Sequence, residues 1–96
     1  MAAASVRFER GEYEWLAERN GILFLGHTDL GVVEFLITGE ALIELANPDL
    51  DGIDRDTAID SFVEFEPDIH LLARREFVSR LGGEPPILLT AADVSG

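Results

Sequence analysis

The segment Asn47-Pro48-Asp49-Leu50-Asp51-Gly52 places side-chain oxygens at alternate positions and then closes on a glycine. That pattern matches the first, third, fifth and sixth positions of a helix-loop-helix calcium loop, where oxygen donors wrap a hard cation and glycine permits the sharp turn. The remaining positions depart from it. Ala58 stands where the bidentate Glu belongs, Asp54 where an apolar residue is usual, and Arg55 where a ligand or water should be. A weak cation site at Asn47, Asp49 and Asp51 is one reading. The other is a solvated turn, with Asp and Gly supplying turn geometry and Asp54 or Asp56 capping the helix that follows.

Other residue pairs fall short of a catalytic set. His27-Thr28-Asp29 offers an imidazole near a carboxylate, but a general base needs a nucleophile and an oxyanion site, and none of Ser5, Ser61, Ser79 or Ser95 has an elbow-type context. A polar turn is the simpler account. Glu66, His70 and Arg74 recur at four-residue steps, on one helix face. Two ligands beside a cation make an ion-pair ladder more readily than a metal site. Arg74, Arg75 and Arg80 form a small basic cluster that complements the negative end of a helix. With two His and no Cys, the chain is expected to be non-catalytic and to hold no cofactor.

Charge is the strongest signal in the composition. Nineteen Asp and Glu face seven Arg and no Lys, for a net charge of −12. Residues 47–68 hold eight of these acids and one base. Such a field repels nucleic-acid phosphates and anionic head groups, so nucleic acids and membranes are poor partners, whereas a basic protein is a reasonable one. Asp54, Asp56, Asp60 and Glu64 are the candidate partner-binding residues. Asp56, Asp60 and Glu64, with Asp68 beyond them, fall at helical steps of about 6 Å, a spacing that an acidic mimic of nucleic acid would need. Apolar residues make up 47% of the chain, which argues for a folded core. No signal-peptide pattern or run of membrane-spanning length is present, so a cytoplasmic protein is expected. Ninety-six residues suit a single domain over 1–96.

The elements that must position these residues follow from hydrophobic period and punctuation. Val6 and Phe8 alternate with charges and read as a short strand, and the mixed stretch 10–20 as an irregular segment over the sheet edge. Residues 22–25 and 32–37 are two apolar, β-rich runs around a polar turn at 26–31, which predicts an antiparallel hairpin. Thr38 stands at the N-cap of a short helix over 39–46, ended by Asn47-Pro48. A helical stripe from about Asp56 to Leu81 is interrupted by Pro67, which either kinks one helix or starts a second. Residues 87–90 read as a last strand. The class is α+β: a small, mainly antiparallel sheet with helices packed on one face. Strands 22–25 and 32–37 are apolar on both faces. The face that the helices leave bare is therefore expected to meet the 10–20 segment or a second copy of the chain, the latter giving a homodimer.

Several of these positions carry a family resemblance. Ile22-Leu-Phe24, Gly31, Val33-Glu-Phe-Leu-Ile-Thr38 and Glu40-Ala-Leu42 lie in the hairpin and its exit. Phe62, Ile69, Ala73 and Phe77 follow in the long helical stretch, then Leu88-Leu-Thr90 and Asp93. Over residues 22–93 the chain resembles the bacterial family known as domain of unknown function 1488. Pro67 and the acidic 47–56 loop depart from the pattern. The shared positions are core and cap residues, so the resemblance implies a common fold. It brings no catalytic role to any residue.

Overall fold

The computed structural model describes residues 6–9, 11–79 and 86–95. In chain order these form β1 (Tyr13–Leu16), a single 3-10 turn (Ala17–Arg19), β2 (Gly21–Thr28), β3 (Gly31–Thr38), α1 (Gly39–Ala46), α2 (Arg55–Glu64), α3 (Glu66–Ser79), β4 (Ile87–Leu89) and α4 (Ala91–Ser95). The strands lie side by side in the order β1-β2-β3-β4, antiparallel except for β3 and β4. The fold is α+β, as the sequence pattern predicts.

The hairpin is longer than its most apolar residues suggest. β2 and β3 pair in unbroken register from Gly21↔Thr38 to Thr28↔Gly31. The turn therefore shrinks from the predicted 26–31 to Asp29 and Leu30. Thr28 Oγ1 closes it by donating to the Gly31 carbonyl (2.8 Å) and accepting the Leu30 N–H (3.1 Å). Gly31 has φ +128°, a conformation that L side chains rarely adopt.

At the N-terminal end the structure corrects the sequence reading. The regular edge strand is β1, inside the stretch expected to be irregular, while Arg7 makes only an isolated antiparallel bridge with His27. Both pieces run along the same side of β2. Five residues lie between Arg7 and Tyr13, whereas two lie between His27 and Phe24, so the two pieces do not form one continuous strand. Gly26 permits this arrangement. A Cβ there would collide with Val6 Cγ1 and would lie 2.9 Å from Phe35 Cε2.

The helices follow their caps. The Ala41 N–H donates to Thr38 Oγ1 (3.1 Å) and starts α1, and the Thr57 N–H donates to Asp54 Oδ1 (2.8 Å) and starts α2. The predicted long helix is split. Phe65 separates α2 from α3, and Pro67 is the second residue of α3, where its missing N–H costs no intrahelical bond. Arg80 and Leu81, the end of the predicted helical stripe, lie outside the described residues. The last strand ends at Leu89, and α4, which the sequence reading does not anticipate, follows it. The Thr90 N–H and hydroxyl both donate to Asp93 Oδ2 (2.9 and 3.1 Å), which fixes the entry to that short helix.

The sheet's Tyr, Trp and Phe rings point to one side. Ile22, Phe24, Phe35, Ile37, Ile87 and Leu89 join Leu42, Ala58, Phe62, Ile69 and Ala73 from the helices in one buried cluster. Strand alternation sends Leu16, Leu23, Leu25, Val32, Leu36 and Leu88 to the opposite face.

Candidate functional site

The acidic loop is tied up in local turns. The Asn47 side-chain oxygen accepts the Asp49 N–H (3.2 Å), and the Asn47 carbonyl accepts the Leu50 N–H (3.1 Å). Asn47, Asp49 and Asp51 are exposed. Among the described residues, no three His, Asp or Glu side chains form a group that could hold a metal ion. Asp54 is the N-cap of α2, and the hydrogen bonds from Thr57 hold its carboxyl below the usual Asp range. Asp56 pairs with the neighbouring Arg55 (3.0 Å). Asp56, Asp60 and Glu64 are exposed along α2, and the stripe stops at Phe65, so Asp68 belongs to a different helix.

The two histidines are engaged in ways that sequence spacing does not show. His27 Nε2 lies 2.5 Å from Glu12 Oε1, fifteen residues away in the chain. His70 Nε2 lies 3.7 Å from Glu66 Oε2, within ion-pair reach but beyond a hydrogen bond. The His70 ring stacks on Phe8 (centroids 4.1 Å, planes 7° apart). Burial lowers its pKa below the ordinary value. Glu66 pulls the other way, and Arg74 adds to the lowering. Arg74 sits over the same Phe8 ring (5.1 Å) and donates from Nε to the Val6 carbonyl (3.0 Å). Arg75 donates to the Asp93 carbonyl (2.8 Å). The basic cluster thus staples the N-terminal segment and α4 to α3, and its third member, Arg80, lies outside the described residues.

Three glutamates that the sequence reading passes over converge on the open side of the sheet. Glu12 precedes β1, Glu14 lies in it and Glu34 comes from the middle of β3. With Leu23 and Leu25 of β2 they line a shallow hollow of about 350 Å³. The register explains the meeting, because Glu14 pairs with Leu23 and Glu34 with Leu25. The one available signal was Glu34 itself, a lone charge inside an otherwise apolar strand. On the helix-covered side of β1, two further hollows open against α2. One is lined by Trp15, Arg55 and Ile59, the other by Tyr13, Val63 and Glu66. Among the described residues, no helix is long and apolar enough to cross a membrane.

No family model matches the chain, and no curated protein does either. Its fold is that of a protein of unknown function from Shewanella loihica, a member of the domain of unknown function 1488 family whose crystal structure is known. The two superpose with a TM-score of 0.73 over 93% of this chain and 96% of the other, at 20% identity. The likeness shows a common fold, which is what the resemblance in the hairpin and helix residues implies. It indicates no specific function.

Proposed function

We propose that the chain is a small non-catalytic protein-interaction domain of the cytoplasm that pairs with a second copy through the helix-free face of its sheet. The observation that carries this reading is the composition of that face. Val32 is 57% exposed and Leu88 37%, beside the half-buried Leu23 and Leu25. No described helix packs there, because the cluster that includes the helix side chains lies on the other side. Exposed apolar side chains such as Val32 and Leu88 on a sheet face are what association surfaces offer. The titratable side chains support the reading by their structural work: Asp54 and Asp93 organise helix starts, and His70 packs against Phe8. Sedimentation equilibrium at micromolar concentration is expected to report a dimer, and Val32→Glu with Leu88→Glu a monomer. A monomeric parent chain would falsify self-association.

The acidic-mimic alternative keeps Asp56, Asp60 and Glu64 on one exposed helix face, but the split at Phe65 shortens the row by one step. Capture of a basic nucleic-acid-binding protein, released by salt and lost in Asp60→Asn, is the outcome that would favour it.

A further inference from the structure

β1 is an edge strand with hollows on both sides. The Leu25 N–H donates to the Glu12 carbonyl (3.3 Å), and Glu14 pairs with Leu23, so the backbones of Glu12, Glu14 and Leu16 face β2. In an antiparallel ladder the alternate residues then turn the other way. Tyr13 and Trp15 direct their amide and carbonyl groups outward, along a side where no described strand lies. On the open face, the hollow beside this edge has a floor of Leu23 and Leu25 and a rim of Glu12, Glu14 and Glu34. On the helix face, the hollows of about 520 and 280 Å³ border Trp15 and Tyr13 respectively.

We infer that the β1 edge receives an extended segment of a basic partner protein, in which lysine or arginine alternates with small apolar residues. An added strand satisfies the outward groups of Tyr13 and Trp15, and its side chains fall alternately to the two sides of the sheet. On the open side, the aliphatic stem of a lysine reaches over β1 toward Leu23 while its ammonium meets Glu14, and Glu34, further in, adds to the negative field. On the helix side, a small apolar residue fits against Trp15, Ile59 and Val63. Charge selects this occupant over a second copy of the chain. The hollows present Glu12, Glu14, Glu34 and Glu66 against Arg55; Glu12 meets His27, Glu66 lies near His70 and Arg55 pairs with Asp56, so Glu14 and Glu34 carry the charge selection. A second copy brings the same carboxylates, no lysine and a net charge of −12. This site shares Leu23 and Leu25 with the self-association face, whereas Val32 and Leu88 lie outside it, so Val32→Glu with Leu88→Glu separates the two.

Trp15 is the chain's only tryptophan and sits on the proposed edge. The test titrates the full chain with a capped peptide of alternating lysine and valine. Trp15 emission is expected to shift, and hydrogen exchange at the Tyr13 and Trp15 amides to slow. Glu14→Gln combined with Glu34→Gln removes two exposed carboxylates and should weaken binding about threefold to tenfold. A peptide N-methylated at alternate residues, which cannot donate to a strand, should lose binding without any change to the protein. The inference is overturned if the N-methylated peptide binds equally well, as a polycation adhering to Asp56, Asp60 and Glu64 would. It is also overturned if a glutamate–valine peptide binds equally, or if exchange at Tyr13 and Trp15 is unaffected. Sedimentation of the free chain reads self-association independently of all these outcomes.

Discussion

The helix-covered and open faces of the sheet are built from the same strands and differ in the kind of apolar residue they use. Phe24 and Phe35 point to the helices and stack at 5.3 Å, with Phe62 edge-on to Phe24 at the same distance. Leu23, Leu25 and Leu36 point the other way, and of these only Leu36 is fully buried. Hydrophobic alternation cannot tell the two faces apart, because both are apolar. Ring volume can. The helices pack where the rings are, since a ring fills the roughly 10 Å between layers that a leucine alone leaves short.

Phe62→Ala tests this contrast most strongly. Phe62 is 1% exposed and touches both Phe24 and Tyr13, so its loss opens a cavity at the junction of α2 with the sheet. The expected cost is roughly 3–5 kcal/mol, a large share of the stability of a domain this size. Val32→Thr on the open face should change stability by no more than about 0.5 kcal/mol. Urea denaturation of both variants checks the pair, and similar midpoints would erase the distinction between the faces.

Gly26→Ala should rank next. Its Cβ enters the space of Val6, Phe35 and Phe8, and overpacking of this kind costs about 1–3 kcal/mol. Val6 belongs to a segment held by the paired bonds Arg7 N–H to His27 O (2.9 Å) and His27 N–H to Arg7 O (2.7 Å). The segment should give way before the hairpin does. Hydrogen exchange is expected to speed up at Arg7 and His27 and to stay slow at Ile22 and Ile37. Uniform acceleration would mean that the N-terminal segment is integral to the helix-covered core.

The same contrast explains what the sequence made legible. Thr38 and the helix after it, the cap at Asp54 and the hairpin core are local signals, written in neighbouring residues, and the structure follows them. β1 was hidden because Tyr13-Glu-Trp-Leu16 sits among Glu9, Glu12, Glu18 and Arg19, whose charges an edge strand tolerates and a buried strand does not. α4 is too short for a period, and its start is set by the Thr90 bonds to Asp93 and held by Arg75 from α3. The parallel placement of β4 beside β3 depends on the path of three intervening helices, which no local pattern records. The candidate site was the least legible part. Glu12, Glu14 and Glu34 meet only through pairing register, whereas of the conspicuous acids at 47–56 Asp54 caps α2 and Asp56 pairs with Arg55.

The smallest expected effect concerns pH and the seam where the N-terminal segment meets α3. His70 faces Glu66 on its own helix and the Phe8 ring across the seam, with Arg74 one turn further along. Burial lowers its folded pKa below the ordinary value of 6.5. Between that lowered value and 6.5 the unfolded chain binds more protons than the folded one, so stability rises with pH. The contribution of the neutral ring is complete above 6.5 and is lost as pH falls through the folded pKa. His70→Gln should flatten this part of the pH–stability curve while leaving the curve above pH 7 parallel to that of the parent. Glu66→Gln removes the group that favours the charged ring, so it should lower the His70 pKa further and steepen the loss. Titration of the His70 ring protons by NMR in both proteins reads the shift directly. A His70 pKa at or above 6.5 in the parent would mean that Glu66, rather than burial against Phe8, governs the ring, and that the seam behaves as surface rather than as an extension of the helix-covered face.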